Sequence, residues 1–308
     1  MNPKASKQAC GKSPAPPGIR LGAIEFINTI PIYTALKQQA AALEESGCEL
    51  IYRNPATLNT MIDEGLLDIS PVSSAHYLRH QDALTLLPDL SVSSPGAVES
   101  VLFLSKFPVD DPRFLSQTPV IPVPDDSETS IALLGWLLEE KTGLDFSGRF
   151  HTFTASEYEQ ALMQNGAALV IGDNALLIQQ NVRLTSAYHL YDLSCEWQKL
   201  TGLPFVFAVW VARSTWAAQH PTELERMTQM LVQARKRFFE DAEIFKAGLA
   251  DAQSRCSLSE ESIRRYFTRS LNYTLETEQQ KAIALFKSIL QEKDKRQQDK
   301  MSDFAGVC

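Results

Sequence analysis

Three hydroxyl side chains in four positions, Ser127, Thr129 and Ser130, follow two carboxylates in the string D-D-S-E-T-S (Asp125–Ser130). A short strand precedes the string and an amphipathic helix follows it. The hydroxyls therefore meet the free N–H groups of a first helical turn. Such a place can cradle a carboxylate, because N–H and O–H groups donate and the helix dipole favours an anion. A single hydroxyl capping the helix is the plainer use of the same residues. Asn28, in E-F-I-N-T-I-P, follows a strand where α/β sheets bind ligands, or else forms a turn ahead of Pro31. Ser73 and Ser74 after L-D-I-S-P-V, and Gly172 with Asp173 after A-A-L-V-I, hold equivalent strand-end positions. Each alone reads as a helix cap rather than a ligand contact; taken with the hydroxyl cluster, these strand-end sites point to one cleft.

Other chemistries find less support. His76 and His80 are one helical turn apart and can share a face, as zinc ligands do. However, no Glu lies between them in the H-E-x-x-H sense, and Asp82 is the nearest carboxylate in sequence, so no metal site is expected. No G-x-S-x-G, G-x-x-x-x-G-K-[ST] or G-x-G-x-x-G occurs, which removes the main support for a serine hydrolase, a P-loop NTPase or a nicotinamide dehydrogenase. The five cysteines are scattered without a C-x-x-C pair, against a disulfide framework or zinc site and in keeping with a reducing cytoplasm.

The elements that must position these residues alternate between strand and helix. Ile19–Ile24 reads as a buried strand, and Pro31 opens a helix running towards Glu45. A strand over Glu49–Tyr52, a helix over Thr57–Glu64 and the run Leu67–Ser73 follow. Ala97–Ser105 is a long apolar strand before a Pro/Asp-rich linker. A second αβ block then contains strands at Val120–Val123, Arg149–Thr154 and Ala167–Gly172, with helices over Ser127–Thr142 and Ser156–Asn165. Leu203–Val211 is a further long apolar strand. Helices over Thr222–Lys246, Leu258–Leu271 and Thr277–Lys295 end the chain, the second opened by a Ser257/Glu260 capping box and the last fraying over Gln291–Lys300. This alternation predicts mostly parallel, doubly wound sheets. The expected division is a disordered tail (1–18), one lobe from 19–105 with 204–308, and an inserted lobe from 106–203.

With 308 residues, 44% hydrophobic and 21% charged, the chain can bury an ordinary globular core. Its net charge of −8 argues against nucleic-acid and anionic-membrane partners, which need a basic excess. No apolar stretch suits a membrane span, and the polar first residues lack the apolar region of a signal peptide. A cytoplasmic protein is expected.

In order along the chain, G-A-I-E-F-I-N-T-I-P, G-L-L-D-I-S-P-V-S-S, L-L-P-D-L-S-V-S-S-P-G-A-V-E-S-V-L, A-A-L-V-I-G-D-N-A-L and T-G-L-P-F-V-F-A-V-W-V-A-R resemble the chorismate dehydratase family of the futalosine route to menaquinone. The resemblance is strong from about Ile19 to Arg213, and five ordered motifs are far more specific than one. It implies the α/β fold of type II periplasmic binding proteins, two lobes around a cleft. It also implies a hydro-lyase converting the small molecule chorismate to 3-[(1-carboxyvinyl)oxy]benzoate without metal or organic cofactor. By the same resemblance Asn28 and Ser100 form the catalytic pair. Asn28 would act on the departing oxygen, Ser100 would position the side-chain carboxylate, and that carboxylate would remove the ring proton. Without the resemblance, Ser100 reads as a strand serine bonded to neighbouring backbone. Ser127, Thr129, Ser130, Gly172 and Asp173 fall at ligand-contact positions, Asp173 by fixing backbone N–H groups; Ser73 and Ser74 join them as strand-end substrate contacts. In V-I-P-V-P-D-D two prolines stand where the family usually has an unbroken strand. The alternatives are the sister enzyme forming 1,4-dihydroxy-6-naphthoate and a non-catalytic binder of small anions on the same fold.

Overall fold

Short apolar runs closed by turn residues form ten strands among the residues that the computed structural model describes, 18–39, 43 and 47–305. They are β1 (Ile19–Ile24), β2 (Cys48–Arg53), β3 (Ile69–Ser73), β4 (Leu84–Ser94), β5 (Val101–Ser105), β6 (Ile121–Pro124), β7 (Phe150–Phe153), β8 (Ala167–Ile171), β9 (His189–Asp192) and β10 (Phe205–Arg213). One sheet has the order β2-β1-β3-β10-β4 and a second the order β8-β5-β9, while β6 and β7 form a separate pair. In the first sheet β1 runs parallel to β2 and β3, and β10 runs antiparallel to β3 and β4. In the second, β5 is antiparallel to both neighbours, so the expected parallel winding holds only for part of the first sheet and for the β6–β7 pair.

The chain passes between the sheets twice, from β4 to β5 through residues 95–100 and from β9 to β10 through the helix Leu193–Thr201. Val101–Ser105, grouped by sequence with the first lobe, is hydrogen-bonded wholly to β8 and β9. Its apolar character suits the middle of either sheet, so burial alone could not choose between them. The strand expected around Pro122 and Pro124 does form and pairs in parallel with β7. Each proline lacks an N–H, and two of them two residues apart remove donors from one edge of β6. That accounts for β6 lying beside β8 without joining its sheet.

Several boundaries differ from the sequence reading. The helix after β1 is Ile30–Lys37, and the rest of its expected course falls largely outside the described residues. Asp241 divides the expected helix Thr222–Lys246 into Pro221–Glu240 and Ala242–Arg255, because its carboxylate caps the second, accepting from the N–H groups of Glu243 (3.0 Å) and Ile244 (3.2 Å). Ser259, not Ser257, caps the next helix, Glu260–Arg265, which runs into a π-helical turn, Tyr266–Ser270. The final helix continues from Thr277 to Ala305 instead of fraying. Glu139 anchors it through Lys293 (3.3 Å) and Arg296 (2.5 Å).

The buried apolar residues form one large cluster that includes both sheets and two smaller ones. Trp197, Trp210, Phe205 and Phe286 are fully buried or nearly so. The Trp210 indole N–H donates to the Tyr33 hydroxyl (3.2 Å), which donates to the Gly22 carbonyl (2.9 Å), so these amphipathic groups are buried with their polar ends satisfied.

Candidate functional site

A cavity with about 610 Å³ of empty space, its mouth included, opens between the two sheets. Asn28 and Phe26 reach it from the turn after β1, Ser73 from the end of β3, and Gly172 from the end of β8. Asp126, Ser127, Thr129 and Ser130 reach it from the turn after β6. Ser100 and Val101 arrive differently, at the start of β5. Antiparallel pairing sets Val101 opposite Ile171, so the beginning of β5 lies beside the end of β8. Val98, Phe207 and Leu271 add apolar wall, and among the described residues no Lys, Arg or His lines the cavity.

The helix Glu128–Thr142 points its N-terminus into this space. Ser127 is its N-cap residue, yet its side chain makes no capping hydrogen bond. The N–H groups of the first turn are therefore left for another acceptor. Thr129 is committed elsewhere: its hydroxyl accepts from the Ala75 N–H at 2.9 Å and ties this helix to Ser74–Arg79. Ser130 is buried beside it. Ser73 caps Ser74–Arg79, accepting from the His76 N–H and from the Asn59 amide, both at 3.3 Å. Gly172 has φ of +62°, and a Cβ there would lie 3.2 Å from the ring of Phe26. Glycine is thus demanded both by the backbone and by the close approach of that ring.

Asn28 lies in a 3₁₀ turn, Ile27–Thr29, held by the Thr29 hydroxyl donating to the carbonyls of Ile24 (3.0 Å) and Phe26 (3.2 Å). Its Oδ1 is enclosed and has no hydrogen-bond partner among the described residues. Ser100 is buried, and its Oγ accepts from the hydroxyl of Tyr266 at 2.8 Å. That bond occupies a lone pair of Ser100 and leaves its own proton free to donate elsewhere. Tyr266 is fully buried, and burial pushes its phenol well above the ordinary value, so it serves as a neutral donor. The preceding residue, Glu99, has φ of +64°. It is held by Arg265 (3.0 Å), Ser270 (2.6 Å) and, through its N–H, Asp192 (2.7 Å). A non-glycine residue in that region costs about 1–3 kcal/mol, and these contacts fix it.

Two expected contacts do not line the cavity. The Ser74 hydroxyl donates to the Val206 carbonyl (2.7 Å), joining β10. Asp173 accepts from the Ile27 N–H at 3.3 Å and so holds the turn carrying Asn28; burial raises its carboxyl above the ordinary range despite that bond and Arg255. Asp126 and Tyr266 were not singled out from sequence. Asp126 was visible only as half of an acidic pair, and Tyr266 lies 166 residues from Ser100, with no local signal. Asp126 is buried, its Oδ1 has no partner among the described residues, and burial together with the charge of Asp125 raises its carboxyl.

His76 and His80 stack with ring centroids 4.2 Å apart, and with Asp63 they bring three ligand-capable atoms within 4.8 Å. Asp63, not Asp82, is the carboxylate that meets them. His76 bonds Asp63 (3.1 Å) and approaches Glu128 (3.6 Å), while Glu128 also bonds Arg79. The arrangement is an ion-pair link between the helices Pro55–Asp63, Ser74–Arg79 and Glu128–Thr142.

The profile of a family described as menaquinone biosynthesis matches residues 19–292. The chorismate dehydratase of Thermus thermophilus is 32% identical over 206 residues, 63% of this chain and 69% of that protein. A crystal structure of a protein from Archaeoglobus fulgidus superposes with a TM-score of 0.69 at 15% identity, covering 90% of this chain and 98% of that one. The periplasmic aliphatic sulphonate binding protein of Escherichia coli gives 0.58 at 14% identity, covering 89% and 87%. At these identities the structural likeness speaks to fold, which is that of periplasmic binding proteins.

Proposed function

Because the chain belongs to the menaquinone biosynthesis family, we propose that its cleft removes water from chorismate to give 3-[(1-carboxyvinyl)oxy]benzoate, on the futalosine branch of that pathway in the cytoplasm. The observation that carries this reading is the convergence of Asn28, Ser100 and the uncapped N-terminus of Glu128–Thr142 on one cavity that no cation among the described residues lines. Chorismate is a dianion, and the chain has a net charge of −8. Its carboxylates must therefore be held by local neutral donors.

The reaction removes the C3 proton and the C4 hydroxyl. The C3–H is γ to the ring carboxylate through a double bond, so the electron pair it leaves is delocalised into a dienolate. Expulsion of the hydroxyl then completes an aromatic ring. The conversion is redox-neutral and calls for no redox cofactor. It calls for orientation, exclusion of water and donors aimed at the departing oxygen. In this reading the first-turn N–H groups and Ser127 hold one carboxylate. Ser100, with its lone pair occupied by Tyr266, donates to the enolpyruvyl carboxylate and points it at C3. That carboxylate takes the C3 proton. Asn28 donates its amide N–H to the departing C4 oxygen.

The test is turnover. Purified protein with chorismate, without added metal or nucleotide, is expected to yield an aromatic ultraviolet spectrum and one equivalent of product. Conversion of the cyclised futalosine derivative to dihydroxynaphthoate with chorismate untouched would move the chain to the sister reaction. Calorimetric binding of chorismate without turnover would make it a binder.

A further inference from the structure

We infer that Asp126, in its carboxylic acid form, donates the proton that converts the departing C4 hydroxyl to water, an inference that rests on the chorismate reading. The residue is 6% exposed, lines the cavity from the turn after β6, and has an enclosed Oδ1 with no partner among the described residues. A carboxylate whose Oδ1 is enclosed and unpartnered forfeits hydration that its own backbone N–H, the one opposing contact, returns only in part. A protonated carboxyl avoids that loss and presents a donor.

The surrounding charges favour the acid form. Asp125 is the charged neighbour that raises the carboxyl, after burial itself. Arg79 and His76, the cationic side chains near this turn, are engaged by Glu128, two residues on. Among the described residues no Lys, Arg or His lines the cavity. A bound dianion adds like charge and holds the proton more firmly. Among the lining side chains the remaining polar groups are an amide and hydroxyls. These can share a hydrogen bond but cannot release a proton near neutral pH.

The position also suits the change of charge during the step. As the C4–O bond breaks, its electron pair goes to oxygen and the Asp126 proton forms the second O–H of water. Asp126 becomes a carboxylate just ahead of the N-terminus of Glu128–Thr142, where the helix dipole stabilises the new anion. This interaction exists only as charge develops, the condition for acceleration and not mere binding. The C3 proton has meanwhile passed to the substrate's enolpyruvyl carboxylate. Its return from there to Asp126, directly or through the released water, restores the acid and balances the cycle.

Asp126→Asn keeps shape and removes the transferable proton. It is expected to lower kcat by about 10²–10⁴, the usual worth of a general acid, with KM changed only a few-fold. Wild-type kcat is expected to fall at alkaline pH through one ionisation, and the variant to lack that limb. A chorismate analogue with fluorine in place of the C4 hydroxyl loses fluoride without needing a proton, so the variant's deficit should shrink there to within about tenfold. A folded variant with kcat within a few-fold of wild type would overturn the assignment, as would an equal deficit on both substrates or a loss confined to KM. Should the variant not fold, wild type decides alone: an alkaline limb of kcat for chorismate that is absent for the fluoro analogue supports the proposal, and identical profiles overturn it. Failure of wild type to dehydrate chorismate would instead overturn the function proposed above.

Discussion

In the proposed reaction Asn28, Ser100 and Tyr266 act on different parts of the substrate, and single substitutions separate them. Asn28→Ala is expected to lower kcat by about 10²–10³ with little change in KM, because a contact to the leaving oxygen strengthens only as the bond breaks. Steady-state kinetics on variants of unchanged circular dichroism checks this, and a kcat within a few-fold of wild type would leave Asn28 as a turn residue. Tyr266→Phe keeps the buried ring and removes the bond to Ser100 Oγ. A neutral hydrogen bond contributes about 0.5–1.5 kcal/mol, so kcat should fall by up to about tenfold, and less than in Ser100→Ala. The carboxylate cradle is best probed by Ser127→Ala alone, since the Thr129 hydroxyl is engaged with Ala75. Loss of a bond to a charged group costs about 1.5–3 kcal/mol. Calorimetry with the reaction product should therefore register at least a tenfold weaker Kd, and unchanged binding would remove Ser127 from the cradle.

At the scale of elements, the link between Ser74–Arg79 and Glu128–Thr142 should titrate. Burial opposes a charged His76, but Glu128 and Asp63 together raise its imidazole above the ordinary 6.5. Burial likewise opposes the Glu128 carboxylate, but His76 and Arg79 lower it below the ordinary 4.5. The His76 contribution is complete below pH 6.5 and is lost as pH rises through the raised value. The Glu128 contribution is complete above pH 4.5 and is lost as pH falls through the lowered value. Stability from the pair is thus greatest between pH 4.5 and 6.5. His76→Gln should reduce Tm by about 2–4 °C in that window and by progressively less towards pH 9, as differential scanning calorimetry would show. A deficit independent of pH would assign His76 to packing. Gly172→Ala addresses another junction: with φ of +62° and Phe26 3.2 Å away, the methyl should destabilise by about 1–2 kcal/mol and push the Phe26 ring into the cavity, raising KM.

The whole molecule carries a net charge of −8, while no cation among the described residues lines the cavity. A dianion therefore approaches against the long-range field and is held only by short-range donors. Raising ionic strength from about 10 to 150 mM shortens the screening length from roughly 30 to 8 Å and should increase kcat/KM for chorismate about twofold. A decrease with salt would place an unrecognised positive field at the cleft. The two crossings between sheets are joined as well. Asp192, at the end of β9, accepts from the N–H groups of Val98 (3.1 Å), Glu99 (2.7 Å) and Cys195 (3.1 Å), so the residues leading to Ser100 are fixed by the strand that closes the second sheet.

Local chemistry was readable where it depends on neighbours in sequence. The strand-to-turn junctions at Asn28, Ser73, Ser127 and Gly172 follow from apolar runs ending in small polar residues, and those four side chains or backbones do meet at one cavity. Fold and family were legible from the ordered motifs. Contacts decided by distant partners were not. β4 carries Pro88, Asp89 and three buried serines, a pattern that conceals a strand. Its serines are tolerated because Ser91 donates to the Thr274 carbonyl (2.5 Å) and Ser93 to that of Asn272 (3.2 Å), about 180 residues away. The same holds for the place of β5 in the second sheet, for Tyr266 behind Ser100, and for the burial of Asp126. Hydrogen-bond satisfaction and burial are properties of what packs around a group. A residue's type and its neighbours state what it can donate or accept; only the folded chain determines whether a partner is there.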